Sequence, residues 1–182
     1  GLKIEFAVIM AVYYGLRRSE ILGLKWEAID FEDKTITIKH TITEIKENGK
    51  VKEVEKNRTK NKGSYRILPL LPEIEEYLLK MYKSQEENKK IAKSSRSDEF
   101  AQYMYLDELG VRTKPNYITQ HFNMFLKKNK MKMIRFHDLR HSCASLLIAN
   151  GISLKEIQLW LGHSDYSTTA NIYVHLDSAS KN

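Results

Sequence analysis

Apolar residues change their spacing twice along this chain, and each change restricts what can form. From Leu2 to Tyr14, the residues Ile4, Val8, Ala11 and Val12 recur at helical spacing, and Gly15 stops the run. A second short helix carrying Ile21, Leu22 and Leu24 follows. At Thr35 the period drops to two. Thr35-Ile36-Thr37-Ile38-Lys39 alternates with β-branched residues, and Asn48-Gly49 marks a hairpin between two such runs. A third strand is expected from Tyr65 to Leu70, ended by Pro69 and Pro72. Helical spacing then returns over Glu73 to Tyr82, with Ile74, Tyr77, Leu78 and Met81 on one face. Ser84 to Ser97 reads as the frayed end of that helix and a solvated loop. Pro115 opens a helix with Ile118, Phe122, Phe125 and Leu126 on one side. The next helix, Leu139 to Ala149, stops at Asn150-Gly151. Ser153 and Glu156 form a capping-box pattern for a helix through Ile157 and Trp160. A last short helix is expected near Ser167, carrying Tyr173. The sum is an α+β chain, mostly helical, with a small three-stranded antiparallel sheet.

Composition sets bounds on function. The 182 residues suit one compact domain, and 42% apolar with 29% charged residues indicates a globular protein. No run approaches the roughly 18 apolar residues that span a bilayer, so no membrane association is expected. Gly1-Leu2-Lys3-Ile4-Glu5 lacks a basic segment followed by an apolar one, so no secretory signal is expected either. The single cysteine, Cys143, excludes an internal disulfide and fits a cytoplasmic location. A net charge of +7 favours polyanions and salt-sensitive binding, but it only permits a nucleic-acid partner.

Four segments carry the chemistry: Gly15-Leu16-Arg17-Arg18-Ser19-Glu20, Thr59-Lys60 through Arg66, His137-Asp138-Leu139-Arg140-His141, and Leu161-Gly162-His163 followed by Tyr173. Together they supply two guanidiniums, a lysine, two imidazoles and a phenol, the groups needed to move a phosphodiester without metal. Attack at phosphorus spreads charge over the non-bridging oxygens. Guanidinium forks hold such oxygens bidentately and stay charged, so Arg17 and Arg140 are the expected clamp, with His163 as a further donor. A free phenol has a pKa of about 10, so Tyr173 needs an acceptor for its proton, for which His137 is the candidate. Lys60 is the candidate general acid for the leaving alkoxide. With His137 and Arg140 at a helix start, three residues put them on one face, and the ring of His163 can point out of a turn.

These segments closely resemble the tyrosine recombinase family of phage and transposon integrases. Gly15-Leu16-Arg17-x-Ser19-Glu20 looks like its first arginine motif, which selects Arg17 over Arg18. Lys60 through Arg66, running into Ile67-Leu68-Pro69-Leu70, is similar to its hairpin lysine motif, with Asn61 in place of the commoner threonine. His137-Asp138-Leu139-Arg140 matches the His-x-x-Arg box, Leu161-Gly162-His163 the following histidine box, and Thr168 to Tyr173 the nucleophile segment. The resemblance implies the DNA breaking-rejoining fold, double-stranded DNA as partner, a 3′-phosphotyrosyl intermediate on Tyr173, and no metal or ATP. It also implies a four-subunit synapse, nucleoid association, and N-terminal DNA-binding domains outside residues 1–182. On this reading 1–182 is a single catalytic domain, monomeric and weakly DNA-binding when alone.

Two other readings stand beside it. One is a DNA-binding module that has lost cleavage. The other is a zinc hydrolase using His137, His141 and His163, although Asp138 stands where the zinc-protease pattern needs glutamate. Glu20 is expected to partner the backbone or an arginine, His141 to support or pack behind the site, and Cys143, Trp26 and Trp160 to be core.

Overall fold

Gly15, with φ +61°, ends the first helix where the sequence places its stop. The computed structural model describes residues 2–57, 65–92 and 97–170. They form α1 (Leu2–Tyr14), α2 (Arg18–Leu22), a 3-10 turn (Trp26–Ala28), and strands β1 (Ile29–Asp30), β2 (Thr35–Ile38), β3 (His40–Glu47), β4 (Lys50–Asn57) and β5 (Arg66–Pro69). Helices α3 (Pro72–Ala92), α4 (Pro115–Lys128), α5 (Asp138–Ala149) and α6 (Leu154–Leu161) follow. A further helical turn begins at 166 and is described through 170. The fold is α+β and mostly helical, as expected.

The small sheet is antiparallel in the order β1-β2-β5, with Ile36 opposite Leu68. Its third strand is the two-residue β1, which the sequence did not mark. The Asn48-Gly49 hairpin, β3–β4, pairs as a separate two-stranded sheet from His40↔Asn57 to Glu47↔Lys50. Asn48 and Gly49 both have positive φ, the geometry of a tight hairpin turn.

Helix α1 sits in the middle, packed against α2, α4 and α5. Its fully buried residues are Phe6, Ala7, Met10, Ala11 and Tyr14, whereas Ile4, Val8 and Val12 are only partly buried. The expected stripe is therefore rotated. A helix covered on several sides is apolar nearly all round, and periodicity cannot then choose its deepest face. On α4, Ile118, Phe122 and Leu126 are buried as expected, but Phe125 is exposed.

Helix α3 continues through the polar stretch to Ala92 rather than fraying after Tyr82. One reason is Gln85, which accepts a hydrogen bond from Trp26 Nε1 at 2.9 Å and donates to Met104 O at 2.6 Å. Trp26 and Trp160 are half-buried at the rim of the core, Trp26 edge-on to Tyr82 and Trp160 stacked on Tyr14. Cys143 is buried where expected.

Candidate active site

Two helices end on left-handed glycines close to one another. Gly15 closes α1, and Gly162 (φ 66°, ψ 46°) closes α6. A Cβ added to Gly15 would lie 2.2 Å from Leu161 Cδ2, so the two ends can meet only because Gly15 has no side chain. Helix C-termini leave carbonyls without intrahelical donors and carry the negative end of the helix dipole. Both features attract cations.

Arginine side chains fill that role. Arg140, on the buried face of α5 beside Leu139, Cys143 and Ala144, donates from Nη1 to Gly15 O and from Nη2 to Leu161 O at 2.7 Å. Arg17, the N-cap residue of α2, donates from Nη2 to Gly162 O at 3.3 Å. Two residues far apart in sequence thus share consecutive carbonyls of one turn. Burial, with repulsion from Arg17 next, presses the pKa of Arg140 down to about 9, which still leaves it charged at neutral pH. Arg140 is only 2% exposed, whereas the Arg17 side chain keeps 29%. Arg17 is therefore the more open of the two guanidiniums, with Arg140 beneath it.

Glu20 organises the same corner. Its carboxylate accepts from Arg17 N and Arg17 Nη1, both at 2.9 Å, and from Arg66 Nη1 and Nη2 at 3.3 and 3.1 Å. Burial alone would raise its pKa, but the Arg66 and Arg17 guanidiniums outweigh that and hold it at about 2. Glu20 is thus an arginine partner, as expected. Arg66 was not singled out from the sequence. A usable signal existed: it alternates in phase with the core residue Leu68 on β5, whose burial pattern runs in, out, in, out.

The histidines divide. His163 follows Gly162, but its ring is turned inward and buried, with Nδ1 2.9 Å from Thr169 Oγ1. This corrects the expectation of a ring pointing out of the turn. Desolvation, then repulsion from Arg140 and Arg17, lowers its pKa to about 4, so it is neutral at pH 7. His137 is the N-cap residue of α5 and is exposed. Partial desolvation, then His141, Arg140 and Arg17, lowers its pKa and favours the proton-accepting form. His141 is exposed and sits edge-on to His137 at 5.3 Å, so it flanks the site at the surface instead of backing it.

His137 lines a groove of about 680 Å³ together with Leu16, Arg18, Thr119, Asn123 and Arg135. There Arg18 Nη1 donates to Thr119 Oγ1 at 2.7 Å, so Arg18 faces α4 rather than the Arg140 corner. Gly162 and His163 line a second groove of about 900 Å³, with Arg66, Ile67, Leu159 and Trp160. Of the six candidate residues, Arg17 and Arg140 meet at the turn that carries His163, and His137, in the neighbouring groove, feels the charge of both arginines. Lys60 and Tyr173 lie outside the described residues. Among the described residues, no three His, Cys, Asp or Glu side chains are grouped to ligate a metal, so the zinc reading has no ligand set there.

Comparison with known proteins gives a consistent result. The model of the phage integrase family matches residues 2–180. A tyrosine recombinase XerC-like protein from Caldanaerobacter subterraneus subsp. tengcongensis is 32% identical over 97% of this chain and 46% of its own length. The integrase of Staphylococcus phage L54a is 32% identical over 93% of this chain and 47% of its own. The chain therefore spans about half the length of the curated relatives it matches. Among solved structures, the Tn1549 transposon integrase in complex with transposon right end DNA superposes with a TM-score of 0.75 at 23% identity, covering 96% of this chain and 56% of that one. XerA recombinase gives 0.70 at 25% identity, covering 98% and 56%.

Proposed function

The chain belongs to the phage integrase family, and we propose that it is the catalytic domain of a site-specific DNA recombinase that cleaves and rejoins strands through Tyr173. The observation that carries this reading is the seating of Arg17 and Arg140 on consecutive carbonyls of the turn that precedes His163. That arrangement concentrates fixed positive charge in one place before any substrate arrives, the preorganisation that phosphoryl transfer needs.

In the proposed reaction, Tyr173 Oη attacks the phosphorus and passes its proton to His137. The bond from phosphorus to the 5′ oxygen breaks, and Lys60 protonates the departing alkoxide. A 3′-phosphotyrosyl ester and a free 5′-hydroxyl result. Attack by the 5′-hydroxyl of another strand reverses the steps and rejoins the DNA, conserving the ester so that no ATP is consumed. Arg17 and Arg140 stabilise the charge on the non-bridging oxygens. Neutral His163, with Nδ1 on Thr169, offers Nε2 as a further donor in the corresponding tautomer.

Double-stranded DNA is the proposed partner, with four copies of the full-length protein assembled on it. The groove beside His137, with Arg18, Thr119 and Asn123, suits the backbone next to the cleaved phosphate. Among the described residues no helix is long and apolar enough to cross a membrane. A cytoplasmic, nucleoid-associated location follows from the same reading.

The test uses a pool of nicked duplexes randomised around the nick, in which the cleaved end diffuses away and traps the intermediate. The chain should yield a protein–DNA adduct that survives denaturation and is absent in Tyr173→Phe. An adduct of equal yield in that variant would overturn the assignment. DNA binding without any adduct would instead favour a binding module.

A further inference from the structure

Two guanidiniums, those of Arg17 and Arg66, share the carboxylate of Glu20, while Arg140 only feels its charge, so the three are not equivalent. Glu20 is fully buried and the Arg66 side chain is 6% exposed, so these two form a sealed ion pair. Arg17 lies on the solvent side of the same carboxylate. Each Glu20 oxygen is shared: Oε1 between Arg17 Nη1 and Arg66 Nη1, and Oε2 between Arg17 N and Arg66 Nη2. Arg66 reaches this point from β5, a separate element from the α2 segment that carries Arg17 and Glu20.

We propose that Arg66 is a positioning residue: it neutralises Glu20, so that Glu20 orients Arg17 without consuming the charge that Arg17 offers to the phosphodiester. The proposal rests on the reading of Arg17 as part of the phosphate clamp. A buried carboxylate must be balanced by a cation. With Arg66 present, that cation is the sealed one, and Arg17 needs only to hydrogen-bond. Without Arg66, Arg17 becomes the counter-ion of Glu20, and the outermost positive charge of the site is cancelled from behind. Proximity also makes Arg66 a contributor to the local potential, since it helps to lower the pKa of both Arg140 and His163.

The test is a double-mutant cycle on the rate of adduct formation with the nicked-duplex pool, each variant being compared at a temperature where circular dichroism shows it folded. Arg66→Met should slow cleavage by about tenfold or more, less than the roughly 100-fold expected for loss of a direct donor. Arg66→Lys, which keeps the charge, should stay within about threefold of the parent. The decisive arm is Glu20→Gln, whose single amide oxygen can still accept from one of the two Arg17 donors but carries no charge. In that background, Arg66→Met should cost less than about threefold, and the double variant should cleave faster than Arg66→Met alone. Should Arg66→Met fail to fold, the double variant is compared with Glu20→Gln, since both lack the buried carboxylate and each is checked for folding by circular dichroism. An equal cost of Arg66→Met in both backgrounds would overturn the proposal, since a packing role or direct phosphate contact is indifferent to the charge of Glu20. Failure of the underlying reading looks different: Arg17→Ala would then form the adduct at the parent rate.

Discussion

Charged side chains are held in two ways in this molecule, at the corner between α1 and α6 and along the β3–β4 hairpin. On the hairpin, half-buried charges meet other side chains. Arg112 pairs with Glu53 at 2.9 Å and lies over the rings of Phe100 and Tyr103, while Glu55 accepts from Lys25 and Tyr103 at 2.7 Å. At the corner, Arg17 and Arg140 are tied to backbone carbonyls at helix ends, with Glu20 and Arg66 buried behind them. A pair of side chains can rearrange when one partner is lost. A guanidinium fixed by backbone carbonyls moves only if the helix ends move. The position of the site is thus a property of the chain's path.

The largest expected effect comes from removing what the corner holds. Arg17→Ala and Arg140→Ala should each lower adduct formation by at least roughly 100-fold while leaving most DNA binding. Arg140→Ala should also destabilise the fold by about 3 kcal/mol, because Gly15 O and Leu161 O lose charged donors. Equal losses of binding and cleavage would reduce the pair to DNA anchors.

Acid is the next lever. His163 is held neutral in the fold, with a pKa near 4, below the ordinary value of 6.5. Below pH 6.5 the unfolded chain takes up a proton that the fold resists, so stability falls between pH 6.5 and 4 and levels off beneath. The window is worth on the order of 3 kcal/mol. Denaturant titrations across it should show a steeper loss for the parent than for His163→Asn, and parallel curves would mean that the ring is solvated.

Gly15→Ala tests the path itself. A positive φ and a Cβ pressed on Leu161 should cost about 2 kcal/mol by thermal melting, and displacement of the carbonyl that anchors Arg140 should slow cleavage as well. Unchanged cleavage at a lowered melting temperature would separate fold from site. The smallest effect on cleavage is expected on the hairpin, where Arg112→Ala should cost about 2 kcal/mol of stability and leave adduct formation untouched.

Much of this architecture was legible because local signals and tertiary structure agree. Gly15, Asn48-Gly49, Pro115, Asn150-Gly151 and the Ser153–Glu156 box each end or begin an element where expected. What was not legible depends on contact between distant segments. The deepest face of α1 is set by three neighbours, α3 is anchored in its polar part by Gln85, and β1 gains its strand character only from pairing with β2. In the site, residue types pointed to Arg17, Arg140, His137 and His163. The inward turn of His163 and the burial of Arg66 against Glu20 arise from packing that no single segment encodes.

The central claim is that Arg17 and Arg140 serve one phosphate. A crystal structure of Tyr173→Phe bound to a duplex recovered from the nicked pool tests it directly. Non-bridging oxygens of a single phosphate should lie within hydrogen-bonding distance of both guanidiniums, with His163 beside them. Two guanidiniums on different phosphates, or an Arg140 that never touches DNA, would contradict it.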